Sequence, residues 1–258
     1  MRTVADTSPA SIIKGGPAAP FLFVCEHASR YIPDEFENLG LDDAVASSHI
    51  AWDPGALNVT EELSASFNAT AVCGTISRLI YDLNRSPDAT DAMPAKSEIF
   101  EIPGNQNLTQ EQKLQRIETY YWPFYQALDD QLKAQDVIPA LVTIHSFTPK
   151  YAGEERAVEI GILHDEDARF ADAMLSIASG YTSLNIMRNE PYGPEHGVTH
   201  TLIEHGLKNG ILNVMIEVRN DLLQTQGQCT KIAGLLAAWL SEAHEICRSD
   251  QPPLEAKA

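Results

Sequence analysis

The stretch FLFVCEH, residues 21–27, decides the fold of this chain, because five apolar residues in a row run directly into a carboxylate and a histidine. Two later stretches have a similar form: ALVTIH, residues 140–145, and ILNVMIE, residues 211–217. Apolar runs of this length are typical of strands that are buried on both faces of a largely parallel sheet. The three stretches therefore predict the centre of an α/β fold.

Segments with helical periodicity separate the strand-like runs. Strands are predicted at 20–26, 69–74, 139–145, 157–163 and 211–218, weaker strands at 78–82 and 183–188, and helices at 54–66, 109–134, 165–178, 200–207 and 221–248. The sequence contains no repeat and no linker. We expect one domain over residues 20–250, a three-layer α/β/α sandwich with a mixed, mostly parallel sheet, after a flexible lead-in over residues 1–19.

The charge of the chain limits its partners. Among 258 residues there are 36 acidic and 18 strongly basic side chains, which gives a formal net charge of -18. Without a basic stripe, the chain is not suited to displacing counterions from nucleic acid, nor to docking on an anionic membrane. An anionic substrate would need a local positive site in this negative field, so each arginine in a pocket is informative.

The cysteines and the N-terminus favour a cytoplasmic protein. Cys25, Cys73, Cys229 and Cys247 form no CxxC motif, which is typical of buried thiols in a reducing compartment. The sequence has no apolar signal-peptide core, and no stretch approaches the ~18 apolar residues of a membrane span.

Two histidines stand at the ends of predicted strands, where the ligands of parallel sheets collect. His27 and His145 are each more often structural when taken alone, but together they suggest a metal site. A catalytic zinc site has three protein ligands and one open position. Glu26, His49 and Asp53 are the alternatives for the third ligand, and Asp53 before Pro54 would also suit a helix N-cap.

A carboxylate and an arginine complete the set of candidate side chains. Glu217 follows an apolar run, so burial should shift its pKa and suit it to general-base catalysis. The alternative is a structural pair with Arg219, two residues further on. Asn84 and Arg85 follow a predicted strand, and Arg85 could hold a carboxylate with two hydrogen bonds or form an ordinary surface ion pair.

Six short motifs, in this order and spacing, resemble the N-formylglutamate amidohydrolase family. They are CEHAS at 25–29, HIAWDPG at 49–55, DLNR at 82–85, TIHSF at 143–147, NEPYG at 189–193 and EVRN at 217–220. The resemblance covers about residues 20–225. It implies a zinc-exopeptidase-like fold, since the family is similar to zinc carboxypeptidases and acylases.

The resemblance also implies the metal ligands. His27 and His145 would bind one zinc ion per chain, although another divalent metal would also suit such ligands. Arg30 stands three residues after His27, where the carboxypeptidase pattern has a glutamate. Asp53 leads into a helix as that acidic ligand does, so it is the expected third ligand, with Glu26 and His49 as alternatives.

The expected activity is hydrolysis of an N-acyl amino acid, with N-formyl-L-glutamate giving formate and glutamate as the first choice. Glu217 would be the base, Asn84 and Arg85 would hold the α-carboxylate, and the loop around Tyr192 would close over the substrate. Two further roles would fall to arginines. Oxyanion stabilisation is expected of Arg78 or Arg156, and binding of a second carboxylate is expected of Arg188 or Arg219.

Two alternatives to this activity remain. The same metal site could cleave another N-acyl amino acid or a short peptide. A protein of another class, a metal-free binder of an anionic metabolite, could use the same pocket without catalysis. The expected partner is in every case a small anionic molecule, and the sequence does not indicate an oligomeric state.

Overall fold

The computed structural model describes residues 8–249, and seven strands of this part of the chain form one sheet. Residues 8–249 contain eleven strands in all: β1 (Ala10–Ile13), β2 (Phe21–Cys25), β3 (Ala71–Gly74), β4 (Lys96–Ser97), β5 (Phe100–Glu101), β6 (Ala140–Phe147), β7 (Lys150–Tyr151), β8 (Glu154–Glu155), β9 (Ile160–Leu163), β10 (Ile186–Arg188) and β11 (Asn213–Arg219). The sheet has the order β1-β3-β2-β6-β11-β9-β10, while β4 with β5 and β7 with β8 form small hairpins.

The central strands β3, β2, β6 and β11 run parallel to one another. β1 is antiparallel to β3 at one edge, β9 is antiparallel to β11, and β10 runs parallel to β9 at the other edge. The predicted mixed, mostly parallel sheet is therefore confirmed. Its central strands all end at the same edge of the sheet, where ligands of such folds bind.

Helices cover both faces of the sheet. They are α1 (Asp43–Ala46), α2 (Ala56–Phe67), α3 (Gln110–Arg116), α4 (Trp122–Lys133), α5 (Arg169–Ile177) and α6 (Gln226–Ser249). α2, α5 and α6 pack together on one face, and α4 contacts the other. Among the helices of residues 8–249, none has both the length and the apolar character that crossing a membrane requires.

The alternation of side chains along β2 explains the three layers. Phe21 and Phe23 belong to the core under α2, α5 and α6, whereas Leu22 and Val24 belong to the core on the opposite face. All four are at most 1% exposed. A strand whose two faces are both buried needs a continuous apolar run, which is why the opening stretch of the sequence predicts the sheet correctly.

Two local predictions are wrong. Residues 10–13, expected to be part of a flexible lead-in, form β1, because their backbone pairs with β3 in a contact that local sequence cannot reveal. Residues 78–82, expected to form a weak strand, are turn and loop, and their polar side chains face the candidate site instead. The part of the predicted lead-in at residues 1–7 lies outside the described residues.

Gly74 at the end of β3 has no room for a side chain, since a Cβ there would overlap the carbonyl oxygen of Glu26. We expect Gly74→Ala to lower the free energy of unfolding by about 1–3 kcal/mol, the usual cost of overpacking. Gly234→Ala is the matched control. Gly234 lies in α6 with open space around it, so the same change should stabilise by about 0.5–1 kcal/mol. Denaturant unfolding measures both values, and equal stability of the two variants would contradict the prediction.

Candidate active site

A cavity of about 380 Å³ opens beyond the ends of the central strands. Its walls come from the segment after β2, the loop after β3, the end of β6, the β4–β5 hairpin and the 192–198 loop. The predicted residues that line it are His27, His49, Asp53, Arg78, Asn84, Arg85, His145, Tyr192 and Glu217. Side chains that are far apart in the sequence therefore share one pocket of the size typical of small-molecule sites.

His27, Asp53 and His145 bring three donor atoms together at the bottom of this cavity. His27 Nδ1 lies 3.3 Å from Asp53 Oδ2, His145 Nδ1 lies 3.0 Å from the same oxygen, and the two Nδ1 atoms are 3.2 Å apart. All three side chains are buried. Each residue thus offers one atom to a common point.

The triangle of donor atoms fits a metal ion. Tetrahedral zinc with bonds of ~2.0–2.1 Å to nitrogen and oxygen keeps neighbouring ligand atoms ~3.3 Å apart. The three distances in the site, 3.0 to 3.3 Å, are close to that spacing. Two histidines and one carboxylate are also a ligand set that zinc and related divalent metals accept in catalytic sites.

Carboxylates behind the two imidazoles fix their orientation. His27 Nε2 lies 2.7 Å from Asp82 Oδ1, and His145 Nε2 lies 3.1 Å from Glu26 Oε2. Because an ionised carboxylate can only accept hydrogen bonds, the contact with Asp82 assigns the proton to His27 Nε2 and leaves a lone pair on His27 Nδ1. The nearby Glu26 carboxylate favours the same tautomer at His145. Such carboxylate–histidine pairs are the usual support of metal ligands.

The buried negative charges of the cluster also favour the binding of a cation. Burial opposes ionisation of Glu26, Asp53 and Asp82, yet the neighbouring imidazoles hold the pKa of all three carboxyls below their usual values, and Arg78 adds to this effect at Asp53 and Asp82. Arg78 contributes one permanent positive charge against these three negative charges. When both imidazoles are neutral metal ligands, a divalent metal at the donor triangle would balance the two remaining negative charges.

The structure separates the alternatives for the third donor. Glu26 contacts the far nitrogen of His145, so it lies behind that ring and outside the donor triangle. His49 is at the rim of the cavity, where its Nε2 is 2.9 Å from Glu98 Oε1. Asp53 is not an N-cap, because α2 begins after Gly55 and no side chain caps it. Only Asp53 among these three joins the histidines.

Glu217 lies on β11 directly opposite His145 on β6. Its side chain is 5% exposed and lines the cavity, and its Oε2 has no hydrogen-bond partner within the described chain. Burial, together with the nearby charge of Asp53, raises the pKa of Glu217 to about 7. A carboxylate with that pKa can both take up and release a proton near neutral pH. The alternative pairing with Arg219 is not found, since Arg219 contacts Glu159 and Asp221 instead.

Arg78 and Asp82 come from the loop after β3. Arg78 Nη2 donates to Asp82 Oδ2 at 2.7 Å, and its Nη1 lies 3.4 Å from Asp53 Oδ1. The guanidinium thus lies beside the donor triangle and lines the cavity. The contact of Asp82 with His27 was not foreseen from the sequence. Its position in the DLNR motif was the available signal.

Asn84 and Arg85 line the cavity but are already engaged. The Asn84 amide donates to the carbonyl of Val198 and accepts from the backbone of Thr201. Arg85 Nε donates to Asp91 at 2.9 Å, and its Nη1 donates to the carbonyls of Asn84 and Gly197. Both residues therefore hold the 197–201 segment in place, and carboxylate binding by this pair stays a prediction.

Tyr192, Arg156 and Arg219 form a connected group at one side of the site. Tyr192 lines the cavity, and its hydroxyl accepts a hydrogen bond of 2.9 Å from Arg156 Nη2. Arg219 Nη1 donates to the backbone carbonyl of Arg156, and its guanidinium does not line the cavity. Arg156 therefore reaches the site through Tyr192, and Arg219 reaches it through Arg156.

The fold and the site define an α/β/α hydrolase with a candidate metal centre. A family model for N-formylglutamate amidohydrolase matches residues 19–224 of the chain. The chain therefore belongs to the N-formylglutamate amidohydrolase family, and the resemblance noted in the sequence is confirmed. Membership identifies the chain as an amidohydrolase.

Two solved structures share the fold of this chain. Gene product Atu2144 from Agrobacterium tumefaciens is 48% identical, with a TM-score of 0.92 over 95% of this chain and 98% of that chain. The N-formylglutamate amidohydrolase from Ralstonia eutropha JMP134 is 17% identical, with a TM-score of 0.64 over 95% of this chain and 100% of that chain. This second likeness shows the shared fold. No curated protein matches the chain.

The donor triangle predicts which variants lose metal. We expect His145→Ala to lose most bound zinc, because it removes one of three donor atoms, and Asp82→Asn to weaken binding about 10- to 100-fold, as loss of a supporting hydrogen bond usually does. His49→Ala should keep full metal content, since His49 contacts Glu98 at the rim. Equilibrium dialysis against zinc followed by elemental analysis measures all three. Loss of metal in His49→Ala with retention in His145→Ala would overturn the assignment.

Proposed function

We propose that the protein hydrolyses the amide bond of an N-acyl amino acid in a zinc-dependent reaction, and that N-formyl-L-glutamate is its substrate. The observation that supports this best is the donor triangle of His27, Asp53 and His145 in the cavity that Glu217 also lines. Glu217 Oε2 has no hydrogen-bond partner among residues 8–249. Family membership supports the formyl substrate. A metal ion bound by the three residues would supply Lewis acidity, which acidifies a water and polarises the scissile carbonyl.

Glu217 is the proposed general base. Its carboxylate takes a proton from the attacking water and delivers it to the leaving nitrogen, so that glutamate departs as an amine. The pKa of about 7 suits a group that must accept a proton and release it in the same turnover. Its burial also keeps bulk water from competing for that proton.

Arg78 is the proposed stabiliser of the negative charge that develops on the carbonyl oxygen. Its guanidinium lines the cavity beside Asp53, with 29% of the side chain exposed, so it remains open toward a ligand. Donors that are held in place before the reaction stabilise such charge without reorganisation, and the contacts with Asp53 and Asp82 hold this one.

Arg85 is the proposed partner of the substrate α-carboxylate. It lines the same cavity, and its Nη2 makes no hydrogen bond within the described chain, while Nε and Nη1 are engaged. Asn84 supports this role by holding the adjacent backbone. The small anionic substrate and the cytoplasmic location remain part of the proposal.

Removal of the base tests the mechanism. We expect Glu217→Gln to keep its zinc and to lose turnover by about 10²- to 10⁴-fold, because the amide is similar in shape but cannot accept the proton. Glu204 lies outside the cavity and pairs with Lys208, so the control variant Glu204→Gln should retain activity. Formate release and elemental analysis provide the two measurements. Turnover that survives in Glu217→Gln would assign the base to another group.

The acyl specificity requires its own assay. We expect formate release from N-formyl-L-glutamate to exceed hydrolysis of N-acetyl- and N-succinyl-L-glutamate, since the family name specifies the formyl group. Values of kcat/KM on zinc-loaded protein give the order of preference. Equal or faster hydrolysis of the larger acyl groups would exclude the formyl assignment. No hydrolysis of any of them, and no zinc uptake, would favour a metal-free binder of anionic metabolites.

A further inference from the structure

Arg156 is an arginine without a carboxylate partner in a strongly acidic protein. No carboxylate of residues 8–249 lies within ion-pair distance of its guanidinium, which donates to the Tyr192 hydroxyl at 2.9 Å and to the Thr148 carbonyl at 3.4 Å. Five other arginines of residues 8–249 do form ion pairs with carboxylates: Arg78, Arg85, Arg169, Arg188 and Arg219. The Arg156 guanidinium is therefore held in place by groups other than carboxylates.

Three aromatic rings surround the guanidinium. Arg156 Cζ lies 5.5 Å from the ring centroid of Phe147, 4.7 Å from that of Tyr151 and 4.9 Å from that of Tyr192. All three rings line the cavity. Cation–π contacts at these distances hold an arginine without neutralising its charge. The guanidinium thus forms a rigid support behind one wall of the site.

The hydrogen bond to Tyr192 has a fixed direction. A guanidinium can only donate, so the phenol oxygen accepts and keeps its own proton. Within the described chain no acceptor is found for that proton, and the ring lines the cavity. Burial and the charge of Glu217 raise the pKa of Tyr192, which keeps the phenol protonated. The Tyr192 hydroxyl can therefore donate a hydrogen bond to a ligand in the cavity.

The backbone around both residues is also fixed. The Arg156 N–H donates to the Pro149 carbonyl at 2.8 Å, and its carbonyl accepts from Arg219 Nη1 at 3.1 Å. On the other side, Gly161 of β9 lets the carbonyl of Glu190 approach where a Cβ would overlap it. The segment that leads to Tyr192 is therefore packed against the strand beside β11.

We propose that Arg156 is a positioning residue that commits the Tyr192 hydroxyl to donate a hydrogen bond to an oxygen of the bound substrate. The proposal rests on the proposed hydrolase function and adds a residue that acts through another. Arg156 would not contact the substrate itself, and Arg219 would contribute only by holding the Arg156 backbone.

A double-mutant cycle tests this dependence. Zinc-loaded wild type, Arg156→Met, Tyr192→Phe and the double variant are compared by kcat/KM for N-formyl-L-glutamate. We expect a loss of about tenfold in Arg156→Met, the usual order for one hydrogen bond, and no further loss when it is added to Tyr192→Phe. Arg156→Lys, which keeps a donor and the charge, should recover part of the activity. Losses that multiply would show that Arg156 acts independently and would overturn the proposal.

A spectroscopic readout tests the contact without turnover. In protein labelled with 3-fluorotyrosine, the ¹⁹F resonance that disappears in Tyr192→Phe identifies the Tyr192 ring. Arg156→Met should shift that resonance, whereas Arg169→Met, which removes an arginine paired with Asp167 away from the cavity, should not. An unshifted Tyr192 resonance in Arg156→Met would overturn the proposal. A shift without any hydrolysis in wild type would keep the contact and reject the proposed function.

Discussion

The carboxylate of Asp53 is the contact on which the rest of the site depends. One of its oxygens lies within 3.3 Å of both His27 and His145 and accepts the backbone N–H of Ser146, while the other faces Arg78. Asp53 and these partners come from four separate parts of the chain. An ionised carboxylate without these partners would be costly at 3% exposure, so the site and the local fold support each other.

The sheet makes this convergence possible. Parallel strands place their carboxyl ends along one edge, and β2, β6 and β11 are neighbours at the centre. His145 and Glu217 are directly opposite in register, so a one-residue slip of β11 would turn Glu217 toward the other face. Close packing of the apolar side chains in the two cores selects that register, because a slip would exchange side chains of different shape between them. The position of the proposed base is thus set by core packing far from the chemistry.

The sequence alone predicts the strands of the central sheet and two histidines at its edge, because each histidine directly follows or closes an apolar run. Asp53 stands in no such run, and only the resemblance to the family singled it out as the expected third ligand. The sequence does not predict β1, whose pairing with β3 is a long-range contact, nor the role of Asp82, which depends on a loop folding back onto His27. Asn84 is a second example of a contact that the local sequence does not reveal. Its motif suggested substrate binding, yet its side-chain amide forms hydrogen bonds with the backbone of residues 198 and 201, over a hundred residues further along the chain. Local pattern identifies the type of side chain, and only tertiary contact determines its partner.

The protein as a whole is strongly negative, yet three arginines lie in or beside its cavity, and they are held there in two different ways. Arg78 is balanced by two carboxylates and Arg85 by one, so both are held in fixed orientations by groups that the protein itself supplies. Arg156 is held by aromatic rings instead, which leaves its charge uncompensated near the cavity. An anion that enters would therefore meet the uncompensated charge of Arg156 behind Tyr192, whereas the charges of Arg78 and Arg85 at the cavity are already paired with carboxylates. In a chain with a net charge of -18, that asymmetry is what would give an anionic substrate a single orientation.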